Sequence, residues 1–281
     1  MPFDFEKVKQ MYEQGTQRYN SIMSRVQEHY NEALEHFEES HIVGIWLQGS
    51  QNYGLDTPNS DIDTKLIVTP TFKDIALAAK PVSTTHIRAN DEHIDFKDIR
   101  CYVDCFKKQN LNFLEILFTP YFIINPLYEQ EWKKLVIHRE DIARMNPKRA
   151  IQSMKGIALE KYFAMEHRYP SKIEIIDKYG YDPKQLYQLA RVREWMERYQ
   201  NGEPYEQCLY SKQVSFLMDM KMGKYTLEEA REMANEFKSD VEYMAEYCYN
   251  WYPDEEDIAM RELLEEVSYS IMKISVMEEL K

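Results

Sequence analysis

Asp61 and Asp63 stand one residue apart in "SDIDTKLIV", with apolar Ile62 between them. In an extended chain, side chains at i and i+2 project to the same face, so the two carboxylates point together while Ile62 turns to a core. Like charges this close are unfavourable unless a cation offsets them. A hard divalent ion such as magnesium suits such a pair, because it takes one or two carboxylates together with substrate phosphates. Asp95 in "HIDF" is the candidate third carboxylate: it alternates with Ile94 and Phe96, which puts it on the polar face of a second strand. Asp98 lies three residues on and fits that strand phase less well. Three converging carboxylates could hold two ions about 3.5–4 Å apart, an arrangement suited to in-line phosphoryl or nucleotidyl transfer. Upstream, Gly49 and Ser50 end an apolar run. Backbone N–H groups at such a turn can bind phosphate oxygens, and the Ser50 hydroxyl can add a donor or cap the short helix that follows.

The elements that must position these residues are legible in outline. Residues 3–39 carry apolar side chains at three- and four-residue steps, which predicts a helix. "HIVGIWLQG" predicts a strand ending at Gly49, and "DIDTKLIVTP" a second strand stopped by Pro70. "FKDIALAAK" reads as a short helix. "TTHIRA" and "EHIDFKDI" read as paired strands around "AND", and "RCYVDCFKKQ" with "NLNFLEILF" as short helices or one broken helix. Glu115, among apolar neighbours, reads as a partly buried acid satisfied by a backbone group or a cation. Beyond about residue 141 the strand signals stop. The helix over "DPKQLYQLARVREWMERYQNG" has Asp182 as N-cap, Pro183 at its first position and Gly202 near its end. Thr226 and Glu229 form a capping box for the next helix, and a last helix follows Pro253. The expected fold class is α+β: a mixed β-sheet with flanking helices over residues 1–140, then an all-helical domain over residues 141–281.

The chain of 281 residues carries a net charge of −13, and residues 226–281 hold 16 acidic against 5 basic side chains. That distribution argues against a broad non-specific grip on nucleic acid. The charged N-terminus lacks a signal-like apolar stretch, and no apolar run reaches the length of a membrane span. Cys101, Cys105, Cys208 and Cys248 show no zinc spacing and read as reduced thiols, so the expected compartment is the cytoplasm. His41, His86, His93, His138 and His167 show no metal spacing.

Gly-Ser, ten residues, Asp-x-Asp and a later lone aspartate together resemble the nucleotidyltransferase signature of the DNA polymerase beta superfamily. "GSQNYGLDTPNSDID" is similar to a narrower group, the RlaP-like nucleotidyltransferases linked to RNA repair. "LNFLEILFTP" resembles that group's glutamate-leucine helix, "GYDPKQLYQLARV" its Lys-x-x-x-His-Leu-x-Arg stretch, and "LMDMKMGKYTLEEA" the segment after it. The resemblance covers roughly residues 42–235. It implies that Asp61 and Asp63 bind two magnesium or manganese ions, and that Asp95 binds the one activating an acceptor hydroxyl. It also implies that Gly49 and Ser50 orient the β/γ-phosphates of a nucleoside triphosphate, with Lys184 and Arg191 as cationic clamps. Gln188 stands where the pattern has histidine; it can hydrogen-bond but cannot carry a proton.

The implied activity is transfer of a nucleoside monophosphate to a hydroxyl with release of pyrophosphate. An RNA end, a protein side chain and a small molecule all remain open as acceptors. Two other readings stay open beside it: a non-catalytic nucleotide- or partner-binding module of the antitoxin kind, and an RNA-binding protein without chemistry. Lys148, Arg149 and Lys155 form a small cationic cluster that either guides an RNA strand or faces solvent.

Overall fold

The computed structural model of the chain describes residues 17–57 and 60–281. Helix α1 spans Gln17–Ala33; residues 3–16 of the expected N-terminal helix lie outside the described residues, and residues 34–39 turn away instead of continuing it to 39. Five strands follow: β1 Ile42–Gln48, β2 Asp63–Val68, β3 Ser83–Ile87, β4 His93–Asp98 and β5 Phe122–Ile124. They form one mixed sheet in the order β3-β4-β2-β1-β5. Only β2 and β4 run parallel, with Lys65 opposite Asp95 and Leu66 opposite Phe96. The other neighbours are antiparallel. The short α2, Phe72–Ala76, leads from β2 to the β3–β4 hairpin.

Alternation along the strands divides the side chains between two layers. Thr64, Leu66 and Val68 of β2 face α1, where Val26, Tyr30 and Ile45 complete a small core. Asp63, Lys65 and Ile67 face the other way. The sheet's second face is covered by α3 Ile99–Lys107 and α4 Leu111–Leu114, then by α5 Glu129–Ile137 and α6 Arg139–Ala143. The remainder is helical: α7 Pro147–Ala164, α8 Ile173–Tyr179, α9 Pro183–Gln200, α10 Tyr205–Leu209, α11 Val214–Lys221, α12 Leu227–Trp251 and α13 Ile258–Glu279. The class is therefore α+β, as expected.

One apolar core runs from Val43 and Trp46 through Tyr102 and Trp132 to Trp195, Ala234 and Ile271. It joins the sheet's second face to the helices. Trp46 and Trp132 lie with ring centroids 4.3 Å apart at its centre. Helix α13 returns to the N-terminal half and packs on α5 and α3. Asp182 caps α9 through the Lys184 N–H, and Thr226 with Glu229 forms the capping box of α12. Among the described residues no helix is long and apolar enough to cross a membrane, and all four cysteines are free.

Candidate active site

Strand β1 runs into a turn whose first residue, Gly49, has φ 107° and ψ −163°. This region is open essentially to glycine alone. The turn continues as a single 3₁₀ turn over Ser50–Tyr53 and closes at Gly54 in the left-handed conformation. Glu115 holds it from beneath. Its Oε1 accepts the Gly49 N–H at 3.2 Å and its Oε2 the Tyr53 hydroxyl at 2.8 Å. Burial raises the pKa of Glu115, opposed first by the charge of Arg191 and then by the Tyr53 hydrogen bond. Glu115 is thus satisfied by a backbone group, as expected, but it is buried rather than partly buried.

The aspartates are set by a different device. Strand β2 begins at Asp63, so Asp61 and Ile62 precede the ladder. Gln51 donates to the Asp61 carbonyl at 2.6 Å, and the Ile62 N–H donates to Glu92 Oε1 at 2.9 Å. Glu92 is itself a buried anion held by Arg25, Arg88, Asn90 and His29. The backbone is thus pinned on both sides, and Ile62 is buried while Asp61 and Asp63 face a cleft. The Asp63 carboxylate also accepts the His93 N–H at 3.0 Å.

The cleft has a volume of about 400 Å³. The Gly49-Ser50 turn, Asp61 and Asp63 form one wall. The other comes from the helical half: Lys184, Gln188 and Arg191 on one side of α9, with Lys221 at the end of α11. Tyr53 links the walls, because the Arg191 guanidinium stacks 3.6 Å from its ring centroid. The Nε and Nη2 atoms of Arg191 are buried and have no hydrogen-bond partner, which marks unused capacity for an anion. Lys221 donates to the Leu55 carbonyl at 2.6 Å. Burial, and then the charge of Lys184, lowers its pKa.

The structure therefore brings Gly49, Ser50, Asp61, Asp63, Lys184 and Arg191 to one cleft. It does not bring Asp95 onto the cleft lining. Asp95 lies on the same sheet face, one position deeper, where its Oδ2 is 3.2 Å from the Lys65 ammonium. Asp98, the rival considered for its place, caps α3 and pairs with Arg100 at 2.7 Å. Among the described residues no three His, Cys, Asp or Glu side chains converge as a metal-binding group. Asp61 and Asp63 nevertheless suit a hard divalent ion, being oxygen donors that share the cleft with Lys184, Arg191 and Lys221. Lys221, Glu92 and Lys65 escaped the sequence reading of the site. Lys221 carries no local signal that separates it from a solvated lysine; Lys65 could have been found from its i+2 spacing after Asp63.

No curated protein matches the chain. A family model, described as the RNA repair pathway DNA polymerase beta family, RlaP, matches residues 26–263 and so spans the turn, the aspartates and both cationic helices. The chain belongs to that family, whose name places it among the polymerase beta-type nucleotidyltransferases.

Proposed function

We propose that this chain transfers a nucleoside monophosphate from a nucleoside triphosphate to a hydroxyl at an RNA end and releases pyrophosphate. The observation that carries this reading is the cleft itself. A carboxylate pair faces three cations, Lys184, Arg191 and Lys221, across a space of about 400 Å³, with the Gly49-Ser50 turn at its edge. The RNA acceptor is supported by the family's description alone.

Asp61 and Asp63 would hold magnesium or manganese, and the polymerase beta resemblance implies a further ion at Asp95. When bound, such an ion supplies Lewis-acid polarisation of the α-phosphate and neutralises developing charge. The chain's own groups do the rest. The Ser50 N–H and hydroxyl orient the terminal phosphates. Arg191 offers its unused donors to the β/γ oxygens, and Lys184 and Lys221 add positive charge on the same side. The acceptor oxygen attacks the α-phosphorus in line. A new P–O bond forms, the bond to the bridging oxygen breaks, and pyrophosphate leaves with that electron pair. The hydroxyl proton is released to solvent through the open cleft, which Asp95 does not line.

The test incubates the purified chain with each α-³²P-labelled triphosphate, magnesium or manganese, and a mixed RNA pool. Label on RNA, lost in the Asp61→Ala, Asp63→Ala double variant, is the expected result. Label on the protein would make a side chain the acceptor. A second reading, nucleotide binding without transfer, is favoured by the Lys65–Asp95 ion pair, which engages the carboxylate assigned to the acceptor side. Metal-dependent triphosphate binding with no label anywhere would establish it in place of the first.

A further inference from the structure

We propose that Lys65 is the resident cation at Asp95, so that this cleft takes one divalent ion, at Asp61 and Asp63, rather than two. The inference rests on the nucleotidyltransferase reading of the cleft and refines it.

Lys65 follows Asp63 by two residues on β2, so it shares the face of the aspartates. The parallel register places it directly opposite Asp95, and the ammonium lies 3.2 Å from the carboxylate. The Lys65 side chain is only 4% exposed, against 21% for Asp95. A buried ammonium must keep an anionic partner, because leaving it unpaired in a low-dielectric site is costly. Lys65 is further seated on the face of Phe113, 4.1 Å from the ring centroid. Phe113 in turn packs edge-on against Tyr102 at 5.4 Å. The Lys97 ammonium lies 5.1 Å from the same ring and donates to Ser83 Oγ at 2.8 Å.

Two ammonium groups and one carboxylate therefore occupy the deep side of the aspartate face. A divalent ion reaching Asp95 would meet like charge and would strip Lys65 of its partner. Among the described residues no lysine or arginine pairs with Asp61 or Asp63; Asp63 meets the half-exposed His93 imidazole at 3.7 Å, and both carboxylates open to the cleft. Lys65 thus acts as a positioning residue. It holds the Asp95 carboxylate and so keeps a second ion from it.

Bound Mn²⁺ is counted by EPR on the full chain with a saturating non-hydrolysable triphosphate analogue. One ion per native chain and two per Lys65→Met chain is the expected result. The methionine keeps the packing on Phe113 and removes the charge. Two ions in the native chain, or one in the variant, overturns the inference while leaving the transferase reading intact. If Lys65→Met does not fold, Asp95→Asn decides. The count stays at one if Lys65 is the resident cation, and falls from two to one if an ion uses Asp95. Mn²⁺ binding that does not respond to the Asp61→Asn, Asp63→Asn double variant refutes the reading of the cleft, and the inference with it.

Discussion

Gly49→Ala isolates backbone strain at the turn. At φ 107° and ψ −163° an alanine pays the penalty of a region that L residues avoid. The new methyl group itself would meet only Gln51 Oε1, at 3.6 Å, so no steric clash adds to it. The expected cost is about 2 kcal/mol. The fold can bear that cost in two ways. If Glu115 and the ladder hold the turn in place, the whole penalty falls on stability, and Tm drops by roughly 5 °C. If the turn relaxes, stability is spared, but the triphosphate must restore the strained geometry and its Kd rises by about 30-fold. Mixed behaviour divides the same total. Urea unfolding and triphosphate titration on one preparation measure both parts, and their sum should come to about 2 kcal/mol. Gly54→Ala is the reference. Its φ of 71° is in the left-handed region, nothing lies within 4 Å of the added carbon, and the residue does not line the cleft. It should cost about 1 kcal/mol in stability and leave Kd unchanged. A Gly49→Ala protein with native stability and native Kd would refute the assignment of a strained, ligand-gripping turn.

Lys221→Met should raise the triphosphate Kd by about tenfold, the worth of one charge-assisted contact. Because the Lys221 pKa is lowered, native affinity should decline on the alkaline side earlier than an ordinary lysine would dictate, and the variant should lack that limb. Calorimetric titration across pH checks both; an unchanged Kd removes Lys221 from the site. Arg191→Lys keeps the charge but loses the stack on Tyr53 and the planar fork, so Kd should rise by about 10–30-fold with the circular dichroism spectrum intact. Equal affinity would show that Arg191 serves the Tyr53–Glu115 contact rather than the ligand. His29 is buried between Thr64 and Glu92, and burial, reinforced by Arg88, lowers its pKa to about 4 from 6.5. Between those values the unfolded chain binds more protons than the fold. Stability should therefore fall by about 3 kcal/mol as pH drops from 6.5 to 4. His29→Gln should flatten this limb in urea unfolding, and parallel limbs would refute it.

The sequence was informative where a physical rule acts locally. The run ending at Gly49 was readable as a strand because it is short, apolar and stopped by glycine, and six of the seven strand residues are indeed buried. Alternation around Ile62 and Ile94 was enough to set the carboxylate faces, and Asp182-Pro183 was enough to start α9. Asp61 is outside β2 because its segment is held by side chains, Gln51 and Glu92, and not by a ladder. No propensity reports such a contact. Strand β5 is three residues long, too short to show a period. The Lys65–Asp95 pair depends on a parallel register, which is a tertiary fact. The periodicity of α13 implied a buried face but could not name α5 and α3 as what covers it.

The chain carries a net charge of −13 while the cleft balances Lys184, Arg191 and Lys221 against Asp61, Asp63 and Asp182, and the fold explains the difference. The 16 acidic residues of positions 226–281 belong to α12, α13 and their connection, and no residue beyond Lys221 lines the cleft. The cations that line the cleft come from α9 and α11, two helices upstream of the acidic segment. A polyanion thus approaches a surface that repels it at long range and meets attraction only inside the cleft. General phosphate affinity, which dominates non-specific nucleic-acid binding, is weak on such a chain. On the proposed function, an RNA acceptor is selected by its end fitting beside Asp61 and Asp63, and not by the length of its backbone.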